Sequence, residues 1–104
     1  MHPGAILSRA GRLYAVLASD DRAIAVAPIA LTARQRHAGD VEVNLGPLGR
    51  ATAICASASV ERGVWSVTGI SLPQVDLSAC RIAAARVKRE EALWRFSARS
   101  VLLG

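Results

Sequence analysis

Residues 13–18 and 23–29 are two short apolar runs separated by Ser19-Asp20-Asp21-Arg22, and this pairing limits the fold more than any other feature of the chain. Short apolar runs flanking a Ser/Asp cluster carry the signature of two strands joined by a turn, because the Ser and Asp side chains hydrogen-bond their own backbone there. The reading is a β-hairpin whose strands are both buried.

The rest of the chain extends that pattern. Residues 5–8 form a short candidate strand, closed by a turn containing Gly11. After a polar excursion over residues 32–39, Val41-Glu42-Val43-Asn44-Leu45 alternates strictly, which places Val41, Val43 and Leu45 on one face of a half-buried strand. Gly46-Pro47-Leu48-Gly49 is a turn, and residues 51–57 and 63–70 give two more candidate strands around Glu61-Arg62-Gly63. About six short strands with frequent turns predict a small barrel.

The last third changes character. Residues 89–103 contain no Gly or Pro, Glu90 and Glu91 fall in the favourable first turn of a helix, and Glu91 stands four positions before Arg95, so a C-terminal helix is predicted there. Trp94, Ala98 and Val101 fall on one stripe of it. Residues 76–87 allow two readings: a short helix capped by Asp76 or Ser78, or an edge strand over residues 82–87.

A chain of 104 residues, 52% hydrophobic and 20% charged, supplies one core, and the whole chain reads as a single domain. The longest uncharged apolar stretch, residues 23–33, is 11 residues long and holds Pro28, against the roughly 20 residues a membrane-spanning helix needs. With no basic leader followed by an apolar run at the N-terminus, the expected location is the cytoplasm. Cys55 and Cys80 lie among small apolar residues, too far apart for a CxxC metal site, and read as buried thiols in a reducing compartment. Neither a metal nor a cofactor is expected. The formal net charge of +5, with all but one of the 13 basic residues Arg, favours an anionic partner such as RNA, DNA or an acidic polypeptide.

The order of motifs resembles the MazF/PemK toxin family. Pro3-Gly4-Ala5-Ile6 stands for its opening Gly-acidic-Ile strand, and Arg12-Leu13-Tyr14-Ala15-Val16-Leu17 for its Arg-led second strand. Val26-Ala27-Pro28-Ile29 stands for its Ala-Pro-Ile-Thr strand, Val75-Asp76-Leu77-Ser78 resembles its Val-Asp-Arg-Ser segment, and Glu90-Glu91-Ala92-Leu93 resembles the start of its last helix. The resemblance runs nearly end to end. It implies an SH3-like small barrel of the plasmid-maintenance toxin type, mainly β with a C-terminal helix. It also implies a homodimer acting as a metal-independent endoribonuclease of a type II toxin–antitoxin system, neutralised by an acidic antitoxin. The CcdB-like proteins, which share the fold, poison DNA gyrase instead, so fold alone does not select between them. The sequence departs from the pattern where Ala30 replaces the Thr or Ser after Ala-Pro-Ile, and where Ile70-Ser71-Leu72-Pro73-Gln74 lacks the family's acid and Arg.

Metal-free RNA cleavage requires a base for the 2′-hydroxyl proton, an acid for the leaving oxygen and a cation for the charged phosphorane. By the resemblance Arg12 is the cation, and Thr32, the nearest hydroxyl after Ala30, orients the phosphate. Arg34, Arg36 and His37 form the one dense polar cluster of the front half and are the candidate RNA contacts. Each has a plainer alternative: Arg12 as an exposed turn residue, Thr32 as a loop hydroxyl, His37 as a solvent-facing loop histidine. Trp65 reads as a core anchor in preference to a base-stacking platform. The competing function is a non-catalytic protein on the same barrel, either a CcdB-like gyrase poison or a degenerate toxin that only binds its antitoxin.

Overall fold

The two apolar runs pair as the turn between them requires. β2 (Arg12–Ser19) and β3 (Ile24–Ala30) run antiparallel from Leu13↔Ile29 to Ser19↔Ile24. At the turn the Asp20 carboxylate accepts hydrogen bonds from the backbone N–H groups of Arg22 (2.8 Å) and Ala23 (2.9 Å). Those two bonds, the one from Arg22 first, hold the Asp20 carboxyl below its ordinary value. The computed structural model describes residues 2–32 and 39–88 of the chain.

β1 (Ala5–Arg9) reaches β2 through Ala10 and Gly11, both at positive φ (53° and 75°), the left-handed two-residue turn whose twist matches a hairpin. β4 (Asp40–Asn44), β5 (Arg50–Ile54), β6 (Ser59–Glu61) and β7 (Ser66–Ser71) complete a seven-stranded antiparallel sheet in the order β4-β5-β3-β2-β1-β7, with β6 also on β3. β3 is shared along its length: Ile24, Ala25 and Val26 pair with β6, whereas Ile29 and Ala30 pair with β5. One strand serving two neighbours on the same edge curls the sheet around its core into a small barrel-like body.

Both faces of the central hairpin are covered, which is why its strands read as continuous apolar runs and not as alternation. Ala15, Leu17, Ala25, Ala27 and Ile29 belong to a main core with Val43, Leu45, Ala51 and Ala53. Val16, Ile24 and Val26 point the other way, into a smaller cluster with Leu7 and Trp65, against which Tyr14 packs. The main core is closed by α1 (Gln74–Lys88), which begins just after Pro73 and buries Leu77, Cys80, Ala83 and Ala84 at helical spacing. Fully burying a side chain such as Leu77 contributes about 1.5–3 kcal/mol. The start of α1 is tied to the sheet, because the Asn44 backbone N–H donates to Asp76 Oδ2 at 2.8 Å.

Two bulges are met by side chains. The register of β2 slips between Val16 and Ala18, and the Leu17 carbonyl there accepts the Arg81 Nε–H at 2.7 Å. In the irregular β1–β7 pairing, Thr68 Oγ1 donates to the Ile6 carbonyl at 2.6 Å and accepts the Ile70 N–H at 3.1 Å.

The expected mainly-β fold with a helix after it is therefore what forms. Residues 76–87 are helical, so the edge-strand alternative is wrong. Asp76 lies inside the first turn and spends its carboxylate on β4, so it is not the cap. The strand expected over residues 51–57 ends at Ile54 in a 3-10 turn, Cys55–Ser57, and β6 was not anticipated. The helix expected over residues 89–103 lies outside the described residues. Among the described residues no helix is long and apolar enough to cross a membrane.

Candidate functional site

Arg12 opens β2 at the tight β1–β2 turn, and strand alternation puts it on the same face as Tyr14 and Val16. Its neighbour there is Ala30, one step beyond the Leu13↔Ile29 pair. Arg12, Leu13, Pro28, Ile29, Ala30 and Ile54 line a groove of about 370 Å³. Arg12 is exposed at the groove wall, and its side chain makes no hydrogen bond or ion pair with any described residue. The two rigid strands fix the backbone on either side of it, and the remaining wall is apolar.

The structure places the other predicted residues unequally. Thr32 is exposed just past the end of β3, and its carbonyl accepts the Thr52 hydroxyl at 3.3 Å; it is not part of the groove wall. Arg34, Arg36 and His37 lie outside the described residues. The ends of their segment nevertheless adjoin the groove: Leu31 lines it, and Asp40 pairs across the sheet with Ile54, which also lines it. Ala30, at the position where the resembled family carries a hydroxyl, is opposite Thr52, a fully buried hydroxyl that sequence spacing did not point to. Asp40, also not anticipated, has a buried Oδ1 with no hydrogen-bond partner among the described residues.

A second polar assembly surrounds Trp65, which is 8% exposed and anchors the smaller core as expected. The Arg9 guanidinium stacks over its ring at 3.5 Å, and the Tyr14 ring meets it edge-on at a centroid distance of 5.1 Å. Arg9 also donates to the carbonyls of Arg62 (2.8 Å) and Val64 (3.3 Å) and forms an ion pair with Glu61 at 3.5 Å. These bonds fasten the β6–β7 connection over the hairpin. Arg9 was not among the predicted residues, and nothing near it in sequence signals its role.

The two thiols sit in the main core, both buried. Cys55 is pushed well above the ordinary thiol range, first by its hydrogen bond with Cys80, then by burial and by the Asp40 carboxylate, so it is held as an unreactive thiol. Among the described residues no group of three or more His, Cys, Asp or Glu is arranged to hold a metal ion. A comparison with models of known protein families and a search of curated proteins return no match to this chain.

Proposed function

We propose that this chain is a toxin of the type II toxin–antitoxin kind that cleaves single-stranded RNA without a metal ion, working in the cytoplasm as a homodimer held in check by an acidic antitoxin. The observation that carries the reading is the Arg12 guanidinium, without a partner among the described residues, on the wall of a groove from which the chain runs directly to Thr32 and Arg34-Gln35-Arg36-His37. In the proposed reaction the 2′-oxygen attacks phosphorus, the bond to the 5′-oxygen breaks, and a 2′,3′-cyclic phosphate remains. Arg12 stabilises the charge that develops on the non-bridging oxygens, a contribution that one preorganised donor makes at the level of about 10²–10³ in rate. His37 is the residue of the adjoining segment whose ordinary pKa suits proton transfer, and Arg34 and Arg36 supply phosphate contacts.

The test is an RNA carrying one 2′-deoxy position at a mapped cut site, incubated in EDTA. Loss of cleavage at that position alone supports attack by the 2′-oxygen, and persistence of the cut refutes it.

One observation favours a second reading. Apart from Arg12, every groove-lining side chain among the described residues is apolar or absent, with no carboxylate or imidazole. That is the surface of a protein-binding groove, as a CcdB-like gyrase poison or a toxin reduced to antitoxin binding would have. Growth arrest on expression with cellular RNA left intact selects this reading.

A further inference from the structure

The sheet ends in two edge strands, β4 and β7, and they are protected unequally. β4 carries Asp40 and Glu42, and its Asn44 N–H is taken by Asp76 of α1. Charges and a covering helix are the usual means of keeping an edge from pairing with another chain. β7, Ser66-Val67-Thr68-Gly69-Ile70-Ser71, has no charge and no proline, and among the described residues no strand pairs with its outer side.

The irregularity of the β1–β7 pairing lies on the inner side of β7. There the Leu72 N–H donates to the Gly4 carbonyl at 2.8 Å, and the Ile70 N–H donates to Thr68 Oγ1, which itself donates to the Ile6 carbonyl. Main-chain groups of successive strand residues point to opposite sides, so those of Ser71 and Gly69 face outward. The side chains alternate too: Val67, Gly69 and Ser71 are exposed, whereas Thr68 and Ile70 are half-buried. Val67 is 75% exposed, and a Cβ at Gly69 would meet nothing within 4 Å. One strand thus presents an apolar knob and, two residues on, an empty site on the same face.

We propose that β7 pairs antiparallel with β7 of a second copy of this chain, about a twofold axis through Thr68, so that the sheet continues across the interface. An antiparallel twofold pair keeps each face of the sheet on the same side, and a register centred on Thr68 sets Val67 of each copy against Gly69 of the other. Each valine fills the space that the opposite glycine leaves open. The composition of the strand selects a second copy over a foreign peptide: it has no charge to attract an acidic or basic partner, and self-pairing brings no like charges together within it. This pairing gives the homodimer of the proposed function its interface and rests on that part of the reading, not on the chemistry at Arg12. A six-residue strand pair is a small interface, so the association is weak.

The test is sedimentation velocity of the full chain over a concentration series, beside Val67→Lys and Leu48→Lys. Leu48 is also exposed, at 50%, but lies in the β4–β5 turn. Wild type and Leu48→Lys are expected to form the same dimer. Val67→Lys should weaken it at least about tenfold, because two apolar contacts are lost and two ammonium groups are brought together. Hydrogen exchange gives a reading that needs no variant: the Gly69 and Ser71 amides should be slowed where the dimer forms and exchange freely in the dilute monomer. A chain that stays monomeric at millimolar concentration would overturn the proposal together with the homodimer. A dimer that Val67→Lys leaves intact, that both lysine variants weaken equally, or whose Gly69 and Ser71 amides exchange freely would overturn this interface and leave the homodimer standing.

Discussion

Adding one methyl group at Gly39 tests how the groove-side end of β4 is held. Gly39 is buried immediately before β4, and its carbonyl accepts the Cys55 N–H at 2.9 Å. A Cβ built there falls 2.8 Å from Ala56 Cβ and 2.8 Å from Ala56 N. Ordinary contacts are near 3.5–4 Å, so the two segments must separate by roughly 0.7–1.2 Å. Cys55 is fully buried beside Ala56, which leaves the 3-10 turn little room to retreat. Overpacking of this kind costs about 1–3 kcal/mol, and stretching the Cys55–Gly39 hydrogen bond adds about 0.5–1.5 kcal/mol. The lost backbone freedom of the unfolded chain offsets about 0.4–1 kcal/mol of that. Gly39→Ala is therefore expected to lose about 2 kcal/mol, within limits of about 0.5–4 kcal/mol, in urea unfolding followed by circular dichroism. Pairing it with Ala56→Gly should restore only part, because the Ala56 backbone nitrogen stays in place. A Gly39→Ala protein within about 0.5 kcal/mol of wild type, inside the range of an ordinary surface change, would refute the close-approach argument.

Three further outcomes follow from other contacts. Arg81→Met, which strands the Leu17 carbonyl at the β2 bulge, should cost about 1–3 kcal/mol by the same unfolding assay, and no change would show that the bond contributes nothing. Cys55 and Cys80 should resist a disulfide-exchange reagent at pH 8 in the folded protein and react fully in denaturant; reaction of the folded protein at the rate of a free thiol would contradict their burial. The folded-state pKa of Asp20 is depressed, so its stabilisation is present above the ordinary carboxylate range and lost as pH falls through the folded value. Asp20→Asn should consequently be less stable than wild type at pH 7, with the gap closing toward pH 2, and a gap that widens in acid would reverse the sign of the argument.

Local patterns carried most of the fold. The 13–18 and 23–29 runs, the alternation of Val41, Val43 and Leu45, and the Gly46–Leu48 turn each depend on neighbours within a few positions, and each formed as read. β6 escaped because three residues are too few to show a period of two. α1 was ambiguous because its buried stripe of Leu77, Cys80, Ala83 and Ala84 is made mostly of small side chains and gives a weak amphipathic signal.

The candidate site was less legible. Arg12 was singled out by motif order, and it does line a groove with Pro28 and Ala30. Thr32 was chosen for nearness in sequence, whereas strand pairing sets Thr52 opposite Ala30 from a position 22 residues away. Arg9 reaches Val64 across 55 positions, a contact that exists only once β7 has paired with β1. Convergence of this kind is set by topology, and no local spacing records it.

The most direct test of the proposed function is to incubate the purified protein with a long single-stranded RNA in EDTA, beside Arg12→Ala, and map the new ends. The account predicts discrete cuts by the wild type, and a rate for Arg12→Ala lower by about 10²–10³, the usual worth of one preorganised donor to a developing oxyanion. RNA left intact by the wild type, or cut equally well by Arg12→Ala, would contradict it.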